Sequence, residues 1–228
     1  ELGRVCSALV VVDVLSFTTS VEVAVSRGVR VHPFPWSDQA ADYARRVGAA
    51  VAVGRGAVDD DHRWSLSPAA MRSAPVVADL VLPSPNGSAI CAAASATGLP
   101  VVAACARNAR AVGRWLVEQG YGSTGSPVGV VAAGERWPDG TLRPSVEDLL
   151  GAAAVLDVLA TAPGGLSVEA AVALATLVGV PDVPAAIRGC VSAHELIERG
   201  YPEDVEIAAQ VGVSDVVPVL RGGVFNAG

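Results

Sequence analysis

Three turns in this chain bring carboxylates and hydroxyls to the ends of apolar runs. Residues 9–12 are aliphatic, and Asp13, Ser16, Thr18, Thr19 and Ser20 follow at once. Residues 76–82 lead into Ser84, Asn86, Gly87 and Ser88. Residues 128–132 lead to Glu135 and Arg136, and Glu147 with Asp148 opens the helical stretch beyond. A fourth turn supplies Arg107 and Asn108. Carboxylate oxygens are the ligands Mg²⁺ prefers, and helix starts led by glycine or hydroxyls present backbone N–H groups to phosphate. Together they suit phosphate chemistry assisted by a divalent cation. Each residue has a plainer use as well. Asp13 is compatible with a turn-stabilising role, and Thr18, Thr19 and Ser88 with simple helix caps. Pro85-Asn86-Gly87 is a turn signal in its own right. Glu147 and Asp148 suit the positive end of a helix without any metal. Arg107 and Arg136 are compatible with solvated loops. The coincidence of several such groups at strand ends favours a site.

Better-known phosphate sites are excluded. The chain has no GxxxxGK[ST] loop. Leu15 stands two residues after Asp13, where aspartyl-phosphate phosphatases of the haloacid-dehalogenase type need a second Asp. No Cys-x5-Arg loop and no GxSxG elbow occurs. His32, His62 and His194 are isolated and read as surface or cap residues. Cys6, Cys91, Cys105 and Cys190 form no CxxC pair, so free thiols in a reducing cytosol are expected rather than zinc.

The elements that must position these turns alternate between strand and helix. The patterning predicts strands over 8–12, 29–33, 49–53, 76–82, 99–104, 128–132 and 215–220. Helices are predicted over 20–27, 38–47, 89–96, 111–119 and 146–160, with helical pieces within 167–188 and 192–210. Residues 54–75 read as a long loop. This is the pattern of an α/β fold: three α/β/α layers around a mostly parallel or mixed sheet, with the active site at the C-terminal strand ends. The expected organisation is one domain over residues 1–228, with two intimately packed halves, about 1–75 and 76–228, as the alternative division. A shift of 70 residues lays 10–28 on 80–98 without a gap, Thr18 falling on Ser88. An old duplication and two unrelated strand–turn–helix units both account for it.

Composition sets the remaining bounds. A chain 51% apolar and 17% charged carries a sizeable core and is not disordered. With aromatics at 4%, Ala, Val and Gly must fill that core, which favours close helix–strand packing. All 16 basic residues are Arg, so any one arginine is a weaker pointer to anion binding. The net charge of −7 argues against nucleic acid or an anionic membrane as partner, but a local field can still bind a small anionic substrate. No apolar run spans a bilayer, and no secretory signal opens the chain, so a cytoplasmic setting is expected. Association into homo-oligomers is compatible with so apolar a chain.

In order along the chain, these turns resemble the magnesium-dependent 2-phosphosulfolactate phosphatase family. Residues 11–19 resemble its opening Asp-Val-Leu-Arg-Ala-Thr-Thr-Thr. Ser65-Leu66-Ser67-Pro68 is similar to its Gly-Asn-Ser-Pro loop, and residues 84–88 to its Thr-Thr-Asn-Gly-Thr turn. Arg107-Asn108-Ala109, Ala133-Gly134-Glu135 and Glu147-Asp148 match its Asn-Ala, Ala-Gly and Glu-Asp elements, and residues 204–218 are similar to its ending. The resemblance implies an enzyme that hydrolyses the phosphate ester of 3-sulfolactate with Mg²⁺, on the route to coenzyme M. On that reading Asp13, Glu135, Glu147 and Asp148 are the candidate metal ligands or water-activating base. Thr18, Thr19, Ser84, Asn86, Gly87, Ser88 and Asn108 would hold phosphate, and Arg107 or Arg136 would neutralise charge in the transition state. Three places depart from the family: Ser16 replaces an Arg, Ser65-Leu66 replaces Gly-Asn, and Pro85 stands in the Asn-Gly turn. Losing such an Arg removes a charge-assisted contact of roughly 1.5–3 kcal/mol. Arg55, Arg63 and Arg136 are the candidates to replace it. A non-catalytic binder of anionic metabolites, or a phosphatase of altered substrate, are the alternative readings.

Overall fold

The structure is a computed structural model and describes residues 2–228. The first half of the chain runs β1 (Ala8–Val12), α1 (Phe17–Ser26), β2 (Arg30–Pro35), α2 (Ala40–Val47), β3 (Ala50–Val51), α3 (Pro68–Ser73), β4 (Asp79–Ser84) and α4 (Gly87–Ser95). It continues through β5 (Val101–Ala104), α5 (Ala109–Glu118), β6 (Val128–Ala132), β7 (Glu135–Arg136), β8 (Leu142–Arg143) and α6 (Val146–Leu159). Four helices and two strands close it: α7 (Val168–Gly179), α8 (Val183–Arg188), α9 (Val191–Glu198), α10 (Pro202–Ala208), β9 (Pro218–Arg221) and β10 (Val224–Ala227).

Eight strands form one mixed sheet in the order β3-β4-β2-β10-β9-β5-β1-β6, and β7 pairs with β8 as a separate hairpin. Strands β3, β4 and β2 are mutually parallel, as are β5, β1 and β6. The antiparallel β9–β10 hairpin joins the two blocks. Successive antiparallel pairings separate β2 from β5, so the blocks run in opposite senses. The topology is pseudo-twofold. Strand β1 feeds α1 and then β2 in the far block, while β4 feeds α4 and then β5 in the near one. The self-similarity at 70 residues therefore coincides with a symmetry of the sheet.

β1 is aliphatic and buried at every position because both its faces are covered. Val10, Val12, Val102 and Ala104 point into the core under α5, α6 and α8–α10. Leu9, Val11, Val101 and Ala103 point into the opposite core under α1, α3 and α4. These are the three layers expected.

Some elements differ from expectation. The presumed loop over 54–75 contains α3, started by Ser67, whose hydroxyl accepts from Ala70 N–H. The closing strand is half of a hairpin, turned by Gly222 and Gly223, both at positive φ as such a tight turn requires. The strand ends do not gather along one edge of a parallel sheet. The blocks run in opposite senses, and the turns after β1 and β4 meet through the bond between Asp13 and Gly87. Among the described residues no helix is long and apolar enough to cross a membrane.

Candidate active site

The meeting point is Asp13, the first residue beyond β1. Its Oδ1 accepts from Phe17 N–H at 3.1 Å and its Oδ2 from Gly87 N–H at 2.9 Å. Phe17 and Gly87 are the first residues of α1 and α4. The carboxylate thus lies where two helix N-termini converge, a position that favours negative charge. Gly87 is what permits the approach: a Cβ there would stand 2.3 Å from the Phe17 ring and 2.7 Å from Asp13 Oδ2. Burial nevertheless pushes the Asp13 pKa up to about 6; the two N–H groups and the Arg55 charge oppose the rise, and the Glu147 charge adds to it.

Asp148 lies behind Asp13 and joins two loops. Its Oδ1 accepts from Val14 N–H at 2.7 Å and its Oδ2 from Gly134 N–H at 2.8 Å. The loop after β1 and the loop after β6 are therefore held by one side chain of α6. Burial, then the charge of Asp13, raises its pKa well above the usual carboxylate range. Glu147, also buried, faces the Cys190 thiol, whose pKa burial and the Glu147 charge push up to about 12. Glu135 is the cleft's second acid. Asn86 Nδ2 donates to its Oε2 at 2.7 Å. Its pKa is pushed up to about 7, by burial first and by Asp13 second, with Asn86 and Arg143 opposing.

A cavity of about 450 Å³ opens over Asp13 and Glu135. Asp13, Ser16, Ser84, Asn86 and Glu135 form its acidic and hydroxyl side, and Arg55, Arg136, Arg143 and Arg199 reach it from several loops. Arg136 and Arg143 belong to the β7–β8 hairpin, whose Trp137 and Pro138 complete that wall. Glu195 grips Arg143 through two bonds, at 2.6 and 2.9 Å, while the guanidinium sits 5.6 Å from the Trp137 ring centre. Arg55 donates to Ser16 Oγ at 2.5 Å and to Asp204 Oδ2 at 2.8 Å.

Of the residues singled out from sequence, Asp13, Ser84, Asn86, Glu135 and Arg136 line this cavity, and Gly87, outside the lining, holds Asp13 through its N–H. The others stand elsewhere. The Thr18 hydroxyl donates to Asp13 O at 2.7 Å and the Thr19 hydroxyl to Val14 O at 2.8 Å; both residues are fully buried. Ser88 Oγ donates to Leu82 O. Asn108 folds over its own turn, accepting from Cys105 N–H and donating to Ala103 O and Val216 O. Arg107 is buried against Glu22 at 2.5 Å and also holds Gln210. Glu147 and Asp148 lie behind the cavity wall. Among the candidates to replace the missing first-turn Arg, Arg55 touches Ser16, whereas Arg63 pairs with Asp60 on the surface. Arg143 and Arg199 had no signal in the sequence, because a chain whose every base is Arg marks none of them out.

The acids suit a hard cation in type and number. Among the described residues no three His, Cys, Asp or Glu side chains are grouped as a ready-made metal cage. Mg²⁺ does not need one, since it commonly takes one or two carboxylates and completes its shell with water and substrate phosphate. Asp13 offers that: each oxygen spends one lone pair on an N–H and keeps another. Buried acids that raise one another's pKa are also what a cation would relieve.

A family model described as 2-phosphosulpholactate phosphatase matches residues 2–223. No curated protein matches the chain.

Proposed function

We propose that this chain, which belongs to the 2-phosphosulpholactate phosphatase family, is a Mg²⁺-dependent hydrolase that converts the phosphate ester of a small 2-hydroxy acid to the free acid and phosphate. By family the substrate is 2-phospho-3-sulfolactate and the product 3-sulfolactate, which extends the reading to the coenzyme M route. A cytoplasmic setting goes with it, since the four cysteines are all free thiols. The observation that carries the reading is the pair Asp13 and Glu135, two acids with raised pKa values in a cleft lined by arginines.

Asp13 would hold the metal, rigidly, because two helix N-termini fix both its oxygens. When bound, Mg²⁺ polarises the phosphoryl oxygens and acidifies a neighbouring water. Glu135, oriented by Asn86 and poised near neutral pH, takes the proton of the attacking water. Arg136 and Arg143 offset the charge that develops on the phosphoryl group. Ser84 and Asn86 border its seat. Asp148 keeps the loops of Asp13 and Glu135 in register. Phosphate release from a panel of phosphorylated hydroxy acids, with Mg²⁺ and with a chelator, tests the reading. Metal-dependent turnover is expected, and its absence across the panel would leave a binding protein of the same fold.

A further inference from the structure

Arg55 enters the cleft from the loop after β3, and its setting is built in advance. Nε donates to Asp204 Oδ2 at 2.8 Å and Nη2 to Ser16 Oγ at 2.5 Å. Asp204 is 1% exposed and its other oxygen accepts from Ser67 Oγ at 2.5 Å and Ala69 N–H at 3.1 Å. The Tyr201 ring centre lies 5.5 Å from the guanidinium carbon. Asp204 of α10, itself fixed by the start of α3, and Ser16 in the turn after β1 thus set this side chain before a ligand arrives, which lowers the ordering cost of binding. The guanidinium has five N–H donors, and the bonds to Asp204 and Ser16 take only two. Nη1 has no acceptor among the described residues. Leu66 and Leu196 line the cavity beside it and keep that end apolar, where a charge-assisted bond counts for more. Arg136 and Arg143, by contrast, hang from the β7–β8 hairpin near Glu135.

We propose that Arg55 is the specificity-determining residue of the cleft: it binds the carboxylate or sulfonate of the substrate while the phosphoryl group sits at Asp13 and Glu135. A planar fork of N–H donors matches the paired oxygens of such a group. The enzyme would then select phosphate esters of hydroxy acids over esters of plain alcohols. This inference rests on the phosphatase reading above.

The test pairs a residue deletion with a substrate deletion. Isopropyl phosphate is 2-phospholactate with a methyl in place of the carboxylate. Arg55→Ala should lower kcat/KM for 2-phospholactate about 10- to 100-fold, mainly through KM, and for isopropyl phosphate by less than about 3-fold. Arg55→Lys keeps a cation beside Asp204, so it guards against a misfolded variant. It should be folded and discriminate between the two esters at least about 3-fold less well than the parent. Equal losses on both esters, or no loss on either, would overturn the proposal. Calorimetric titration with 3-sulfolactate separates this failure from failure of the phosphatase reading, because it needs no turnover. Binding that weakens about 10-fold or more in Arg55→Ala upholds the role of Arg55 even without hydrolysis. Absence of binding by the parent protein, or equal binding by the variant, overturns it.

Discussion

Gly87 donates its N–H to Asp13 Oδ2 at 2.9 Å across 74 residues of chain. That one bond ties the turn after β1 to the turn after β4 and sets the cleft's first acid. A side chain at residue 87 would displace either Phe17 or Asp13.

Gly87→Ala should therefore destabilise the protein by about 1–3 kcal/mol, the usual cost of overpacking a tight core. It should also abolish phosphatase activity in the fraction that stays folded. Gly179→Ala is the control, since nothing lies within 4 Å of a Cβ there. Its stability should change by no more than about 0.5 kcal/mol. Urea unfolding of both variants, alongside the activity assay, measures the contrast.

Asp148 is predicted to matter although it lies behind the cavity wall. Replacing it with Asn leaves one acceptor oxygen for two buried N–H donors, those of Val14 and Gly134. The unpaired donor should cost roughly 1–3 kcal/mol. Activity should fall further than stability, because the loops carrying Asp13 and Glu135 lose their common anchor. A variant with native denaturation midpoint and full kcat would remove this role.

The Arg107–Glu22 pair should behave as a structural element. Glu22 is 1% exposed, so Arg107→Ala strands a buried charge, which typically costs about 3–5 kcal/mol. Arg107→Ala with Glu22→Leu should recover much of that loss. At a temperature where the double variant is folded, its KM should match the parent's. A raised KM in a stable double variant would return Arg107 to the substrate site.

The pH dependence of stability has a definite sign. Asp13, at about 6, and Glu135, at about 7, bind protons more tightly folded than unfolded, and Asp148 is shifted the same way. Their protonation stabilises the fold fully below about pH 4, and that contribution is lost as pH rises through the folded pKa values. The metal-free protein should accordingly lose stability between about pH 4 and 7 through these groups, and Asp13→Asn should flatten the profile. Mg²⁺ held by these oxygens, as proposed, would compete with protons for them, so it should raise Tm more at about pH 8 than at about pH 5. Calorimetric Tm values with chelator and with Mg²⁺, at both pH values, provide the check.

Much of the fold was legible because its signals are local. The aliphatic run before Asp13 could only be a doubly covered strand, and Gly28, Gly48 and Gly98 stopped helices by adopting positive φ. The β9–β10 hairpin was half missed, since it pairs with strands remote in sequence. Its role in opposing the two parallel blocks has no local signature at all. In the site, residue type was informative but side-chain direction was not. Thr18, Thr19, Ser88 and Asn108 have the chemistry of phosphate ligands, yet each hydroxyl or amide is spent on backbone carbonyls or N–H groups of the fold. The N–H groups expected to cradle phosphate are used in part by the Asp13 carboxylate. Arg55 was one of three equal candidates until its bond to Ser16 distinguished it.

On the proposed function, Asp13 holds the metal that hydrolysis requires. Asp13→Asn keeps the size of the side chain and removes its charge. Phosphate release from 2-phospho-3-sulfolactate, followed against Mg²⁺ concentration in parent and variant, measures that role of Asp13. Saturable Mg²⁺-dependent release is expected of the parent and a loss of about 100-fold or more in the variant, with the circular dichroism of the native fold retained. Release by Asp13→Asn at the parent's rate and with the parent's Mg²⁺ dependence would contradict it.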